Sequence, residues 1–246
     1  SANGNAAYVT DEYFTLLDDG EDIKDNTDGV FIDIGSGRIP ARNLDEANNY
    51  VAKMAQYISA GSFGEWKLNS TFVTDDFEPG MGFLKSSESM SNALDEAYNL
   101  IGASKLLADA APRVATPSGV KFPSITRDIN NQIFTGTFLM NYIGHGNPTR
   151  WAVEEILYQG DIDQWSNFEK LPMVITATCD FGRFDNPLQP SSGVNMVMKK
   201  NGGAIMSLTT TQLVYPGPND RLNAAFIDNQ FKQKPDGSFP SFGEAF

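Results

Sequence analysis

The stretch PMVITATCDFGRFDNP, residues 172–187, contains an apolar, β-branched run that ends at a cysteine and passes at once into turn-forming residues. A second stretch, TFLMNYIGHGNP at residues 137–148, has the same pattern, and its apolar run leads to a histidine between two glycines. Cys179 and His145 are the only cysteine and the only histidine of the chain. Short apolar runs bounded by turn residues are typical of buried strands. We therefore predict two strands, each ending at one chemically reactive residue.

Helical patterns separate these strands from their neighbours along the chain. Apolar spacing and capping residues predict helices over 44–59, where Asn43 is the cap, and over 87–112, 123–136, 191–203 and 218–231. Strands are predicted over 70–76, 137–144, 172–179 and 204–211. Strands that alternate with helices form a mainly parallel sheet with helices on both faces. The carboxyl ends of its strands form the edge where ligands bind, so we expect His145 and Cys179 to meet there.

The composition limits the classes of function. The 246 residues carry a formal net charge of −13, which argues against nucleic acid or an anionic lipid surface as a partner. No apolar run approaches the roughly 20 residues of a membrane-spanning helix. A single cysteine excludes an internal disulfide and a structural zinc site built from Cys and His. The chain stops at FGEAF, within the beginning of a predicted helix, so we expect a piece of a longer protein.

A cysteine and a histidine at one edge of a sheet can support acyl transfer. The thiolate is the nucleophile, and a free thiol with a pKa of ~8.5 is mostly protonated at neutral pH. A neighbouring imidazole can stabilise the thiolate and later protonate a leaving amine. The backbone N–H groups of Gly146 and Cys179 can then form an oxyanion hole. The alternative is that Cys179 is a small core residue at a strand end, which is the commoner situation for a lone cysteine.

Two further groups of residues lie at predicted strand ends. Asp75 and Asp76 end the strand 70–76, so one of them can reach the same edge and orient His145; the alternative is an acidic turn or a helix cap. The segment TTTQLVYPGP (209–218), at the end of the strand, can form the wall of a substrate pocket, or it can be an ordinary connecting loop. The candidate substrate-binding residues are Thr209, Thr210, Thr211 and Gln212.

The residues around the histidine and the cysteine resemble a known family. NYIGHG (141–146) together with ATCDFGRFD (177–185) resembles the gingipain-type cysteine peptidases, which are relatives of the caspases. WAVEEILYQGDI (151–162) and GGAIMSLTTTQLVYPGPNDRLNAAF (202–226) resemble one branch more closely, the PorU-type sortases of the type IX secretion system. The resemblance extends over about residues 8–246 and is densest from Asn141 onward.

This resemblance implies a fold and a set of roles. The fold would be a caspase- and gingipain-like three-layer α/β sandwich with a mainly parallel sheet. Residues 1–62 would be the end of a first Rossmann-like subdomain, incomplete at its N-terminus, and residues 63–246 a caspase-like catalytic subdomain, truncated at its C-terminus. Cys179 would be the nucleophile and His145 the acid and base, with Asp76 orienting His145 as the third member.

The resemblance also implies a reaction and a location. Sortases of this branch cut the C-terminal secretion signal from cargo proteins through an acyl-enzyme, and pass the cargo to an amine of a lipopolysaccharide or to water. The expected partners are therefore the cargo signal region, a lipopolysaccharide acceptor and other outer-membrane secretion components. The protein would be exported and associated with the outer membrane at the cell surface. The chemistry needs no cofactor, but the acid-rich stretches 18–28 and 75–78 are candidates for binding a structural calcium ion.

Two other functions remain open. One is a secreted gingipain-like endopeptidase with general protein substrates, against which the loop DFGRFDNP argues because it resembles the sortase branch. The other is an inactive binding or scaffold module that has kept the fold. The presence of both Cys179 and His145 argues against that second function.

Overall fold

The computed structural model describes residues 9–21, 32–76, 82–98, 100–186 and 188–246. Its strands are β1 (Asn69–Thr74), β2 (Gly102–Leu107), β3 (Val114–Thr116), β4 (Gly119–Lys121), β5 (Leu139–Ile143), β6 (Gly146–Asn147), β7 (Arg150–Trp151), β8 (Leu157–Tyr158), β9 (Met173–Ala177) and β10 (Met206–Thr209). Its helices are α1 (Leu44–Tyr57), α2 (Gly82–Ala97), α3 (Pro123–Thr135), α4 (Gln159–Gln164), α5 (Ser192–Met198), α6 (Pro216–Gln230) and α7 (Phe242–Ala245).

The central sheet has the strand order β10–β9–β5–β1–β2, and every neighbouring pair is parallel. The strand β5 therefore lies between β1 and β9. In register, Ile143 of β5 is opposite Thr74 of β1 on one side and opposite Ala177 of β9 on the other. The sequence prediction of a mainly parallel sheet is confirmed.

Alternating side chains of the central strands enter two separate hydrophobic cores. On β1, Phe72 belongs to a core with residues of α2, α6 and α7, whereas Val73 belongs to a core with residues of α3, α4 and α5. On β9, Met173 and Val174 divide in the same way. Since successive side chains of a strand point to opposite faces, the sheet is covered by helices on both sides. The predicted three-layer α/β sandwich is thus confirmed.

One predicted helix is wrong in its second half. The pattern over residues 87–112 predicted a single long helix, but α2 ends at Ala97 and the chain then forms β2 at the edge of the sheet. The residues GASKLL of β2 include Ala, Lys and Leu, which favour helices in isolation. Parallel pairing with β1 overrides that local preference, and β2 is only partly buried, so it lacks the apolar run of an interior strand.

The other predicted elements occur where expected, with boundaries that differ by a few residues. Asn43 caps α1, since its side chain accepts the backbone N–H of Glu46 at 2.9 Å. The helix α1 packs on α5, where the buried Lys53 donates to the carbonyl of Val197 at 2.8 Å. The division into subdomains at residues 62 and 63 stays a prediction. Within the described residues, no helix has both the length and the apolar composition needed to cross a membrane.

Candidate active site

Three strand ends meet at one edge of the sheet. Because Thr74, Ile143 and Ala177 are aligned in register, the residues that follow them leave the sheet side by side. His145 and Cys179 each lie two positions beyond this aligned row. The sequence expectation that the two residues end neighbouring parallel strands is therefore confirmed.

The loops that carry His145 and Cys179 touch each other. The backbone N–H of Gly144 donates to the carbonyl of Ala177 at 3.3 Å. Gly146 packs directly on the side chain of Thr178, so that a Cβ at position 146 would collide with the Thr178 hydroxyl. This contact explains the glycine after the histidine, because a side chain there would push the two loops apart.

Contacts fix the backbone of His145 on both sides. Its N–H donates to the Asp75 carboxylate at 2.9 Å. Its carbonyl accepts the hydroxyl of Tyr142 at 2.6 Å and the backbone N–H of Ala152 at 2.9 Å. The imidazole is exposed, and it forms a T-shaped contact with the Phe83 ring, with 5.4 Å between the ring centroids. The side chain thus projects from a fixed backbone toward solvent, where a substrate can reach it.

Cys179 is half-buried under the segment that follows β10. Its thiol lies 3.9 Å from the carbonyl of Val214, within the range of a hydrogen bond to sulfur. The next residue, Asp180, has the left-handed φ of 57°, and its N–H donates to the carbonyl of Gln212 at 3.2 Å. The N–H of Gly182 likewise donates to the carbonyl of Thr210 at 2.9 Å. The two segments therefore run side by side next to the thiol.

The predicted pocket residues lie at the end of β10, where Thr209 is the last residue, and at the beginning of the segment that follows it. The Thr209 hydroxyl is 2.6 Å from the hydroxyl of Thr176, and the Thr210 hydroxyl donates to the carbonyl of Thr178. These bonds attach the segment to β9 and to the cysteine loop. A substrate-binding role for these threonines and for Gln212 stays a prediction.

An acidic cleft of about 280 Å³ lies beside His145. Asp75, Asp76 and Glu154 contribute carboxylate oxygens that all lie within 4.8 Å of one another. Asp76 forms an ion pair with Arg113 at 2.5 Å, whereas Asp75 holds the backbone of His145. Burial raises the pKa of Asp75 from 3.8 to about 6, and its hydrogen bonds from backbone N–H groups oppose that shift. The role of Asp76 as the residue that orients the imidazole stays a prediction.

A comparison with protein-family models identifies the relatives of this chain. The model of peptidase family C25 matches residues 3–246, almost the whole sequence. The chain belongs to peptidase family C25. No curated protein sequence matches it.

Solved structures support the fold of this C25 chain. The crystal structure of the Arg-specific cysteine proteinase gingipain R (RgpB) superposes with a TM-score of 0.76 at 15% identity, covering 97% of this chain and 53% of that one. The complex of the Porphyromonas gingivalis RgpB pro- and mature domains gives a TM-score of 0.71 at 16% identity, covering 93% of this chain and 52% of that one. The C25 chain thus has a gingipain-like fold and spans about half the length of these structures.

The three carboxylates of the acidic cleft are chemically suited to a hard cation. Calcium binds carboxylate oxygens, and Asp75, Asp76 and Glu154 offer one oxygen each within a small space. Of the acid-rich stretches expected to bind calcium, residues 22–28 and 77–78 lie outside the described residues. The sequence does not indicate Glu154 as a partner of the two aspartates, because it lies far from them along the chain.

Sequence reasoning missed other parts of the site in this C25 chain. Tyr142 is buried in β5 and reads as an ordinary core residue, although its hydroxyl holds His145. Phe83 lies in α2 and its contact with the imidazole depends on how that helix packs. Neither residue has a local sequence signal that could have identified it.

Proposed function

We propose that this chain is the catalytic part of a sortase of the type IX secretion system, which removes the C-terminal signal from cargo proteins by cysteine peptidase chemistry. Membership of peptidase family C25 supports peptide cleavage. The sequence resemblance to the sortase branch supports the choice of substrate.

The proposal rests on the positions of His145 and Cys179. The only histidine and the only cysteine of the chain leave neighbouring parallel strands at the same edge, and their loops touch at Gly146 and Thr178. If His145 and Cys179 were ordinary core residues, the histidine would need neither a fixed backbone nor an exposed imidazole. His145 has both.

In the first half of the reaction, the Cys179 sulfur attacks the carbonyl carbon of the scissile peptide bond. His145 accepts the thiol proton, and the N–H groups of Gly146 and Cys179 stabilise the negative charge that develops on the carbonyl oxygen. The carbon–nitrogen bond then breaks, and the leaving amine of the signal peptide takes a proton from His145. The cargo remains bound to sulfur as a thioester.

In the second half, an amine or a water molecule attacks the thioester carbonyl. His145 accepts the proton of the attacking group, the carbon–sulfur bond breaks, and the thiol is restored. A lipopolysaccharide amine as the acceptor gives transfer, whereas water gives hydrolysis. Asp76 contributes by orienting the imidazole, and the segment from Thr209 to Gln212 forms part of the substrate pocket.

The proposed setting is the cell surface. The protein is exported, associates with the outer membrane, and works with other secretion components on the signal region of folded cargo. A calcium ion held by the carboxylates beside His145 would have a structural role, because the proposed steps proceed without a metal.

Cleavage of a cargo tail tests the proposal. Cys179→Ala and His145→Ala should each abolish cleavage of a cargo protein with its native C-terminal signal while retaining the native circular dichroism spectrum. Asp76→Asn should reduce the rate less. Full cleavage by either of the first two variants would refute the pair.

The second candidate is a general endopeptidase, which family membership supports equally well. Incubation of the same protein with casein, a general protein substrate, distinguishes the two functions. A general endopeptidase degrades casein, whereas a sortase leaves it intact and releases only the signal from the cargo.

A further inference from the structure

The turn that joins β7 to β8 holds two residues in an uncommon backbone conformation. Ala152 has a φ of 59° and Glu155 a φ of 56°, and neither is glycine. This left-handed region is unfavourable for residues with a side chain. Such residues persist where surrounding contacts hold them, and they cluster at functional sites.

The Glu155 carboxylate adds side-chain contacts to the backbone hydrogen bonds of this turn, which run from the Glu155 N–H to the Ala152 carbonyl and from the Ile156 N–H to the Trp151 carbonyl. One oxygen bonds Arg150 of β7 at 2.6 Å, and the other bonds Lys121 of β4 at 2.6 Å. Glu155 thus forms ion pairs with two cations at once. One side chain therefore joins the turn to two separate strands.

The opposite end of the same turn contacts the proposed acid and base. The N–H of Ala152 donates to the carbonyl of His145 at 2.9 Å, next to the hydroxyl of Tyr142. The neighbouring residues are paired as well, because Gly146 of β6 lies opposite Trp151 of β7. A shift of the turn would therefore move a hydrogen-bond donor away from His145.

We infer that Glu155 is a positioning residue for His145 and acts through the turn 152–155. The inference rests on the proposed function, in which His145 transfers protons. The ion pairs of Glu155 keep the turn in its left-handed form, and this form keeps the Ala152 N–H on the His145 carbonyl. The turn also places Val153 and Glu154 at the cleft beside the imidazole. Glutamine at position 155 has the same shape but lacks the charge that both ion pairs need.

The chain offers two specific probes, because it has one histidine and one cysteine. The imidazole resonances of ¹⁵N-labelled protein at a fixed pH report the surroundings of the His145 ring. Alkylation by iodoacetamide, followed by intact mass, reports the reactivity of Cys179. Neither readout requires a peptide substrate.

The variants to compare are Glu155→Gln and the matched control Glu88→Gln, which removes a surface carboxylate paired with Lys105 at 3.1 Å. We expect Glu155→Gln to shift the imidazole resonances at pH 7 and to slow alkylation at the same pH by about tenfold, since misplacement by ~1 Å can cost up to 10²-fold. We expect Glu88→Gln to match the unsubstituted protein in both readouts.

Unchanged imidazole resonances and unchanged alkylation in a folded Glu155→Gln protein would overturn the inference. If Glu155→Gln does not fold, Lys121→Gln and Arg150→Gln replace it, because each removes one of the two ion pairs; unchanged readouts in both variants overturn the inference in the same way. If His145→Ala and the unsubstituted protein alkylate equally, the proposed Cys179–His145 pair fails. The imidazole resonances of Glu155→Gln then decide the positioning role by themselves.

Discussion

Asp75 is buried at the edge of the sheet, where its carboxylate accepts the N–H groups of His145 and Asp76. Burial raises its pKa from 3.8 to about 6. The folded protein therefore holds this proton more tightly than the unfolded chain does. The free energy of unfolding consequently falls as the pH rises from about 4 to about 6, by on the order of 3 kcal/mol.

Asp75→Asn should remove this dependence on pH, because the amide oxygen still accepts the His145 N–H but does not titrate. Calorimetry at pH 4.5 and pH 7.5 measures the effect. The melting temperature of the unsubstituted protein should fall between these values by more than that of the variant. Asp128→Asn, on α3, is the control and should behave like the unsubstituted protein. An equal fall in Asp75→Asn would show that Asp75 does not carry a raised pKa.

At the scale of secondary-structure elements, the contact between the loops after β5 and β9 sets the spacing of the candidate pair. Gly146→Ala should destabilise the fold by about 1–3 kcal/mol, because the added Cβ overpacks against Thr178. Thr178→Ala in the same chain should restore part of that loss, since it removes the atoms that the Cβ meets. Urea unfolding of the two single variants and the double variant gives the coupling between the positions. Strict additivity would contradict the contact.

Some strands of the sheet have a local sequence signal, and others form only through pairing with a distant strand. The strands β5 and β9 were predicted because each is a continuous apolar run that ends in turn residues, as interior parallel strands require. The edge strand β2 was missed because its residues favour a helix and only pairing with β1 makes them a strand. A local pattern cannot report a partner that lies about 30 positions away in the chain.

The residues of the site differ in the same way, since some have a local sequence signal and others do not. His145 and Cys179 were predictable because they are unique residues at strand ends. The contacts that hold them were not, since Asp75, Tyr142 and Ala152 converge on His145 only after the sheet and the β6–β7–β8 hairpins have formed. Which of the adjacent residues Asp75 and Asp76 contacts His145 depends on the side of the strand end that each one faces, and a local pattern does not show this.

At the scale of the whole molecule, Lys53 connects α1 to the helical layer next to the sheet. Its ammonium group is fully buried against the carbonyl of Val197, and burial, with Lys199 nearby, lowers its pKa from 10.5 to about 7. Between about pH 7 and pH 10.5 the unfolded chain therefore binds more protons than the folded protein. The free energy of unfolding should rise with pH across this range.

Lys53→Met should flatten that rise, because methionine fills a similar space without titrating. Urea unfolding at pH 7 and pH 9 provides the comparison, with Lys234→Met as a surface control that should retain the rise. A rise of the same size in Lys53→Met would show that another group is responsible.

The pairing of Cys179 with His145 is the central claim, and the pH dependence of Cys179 alkylation tests it most directly. The measurement compares the unsubstituted protein with His145→Ala between pH 5 and pH 9. The account predicts that the unsubstituted protein reacts severalfold faster than His145→Ala at pH 6 and pH 7, because the imidazole accepts the thiol proton. Superimposable curves for the two proteins would contradict it.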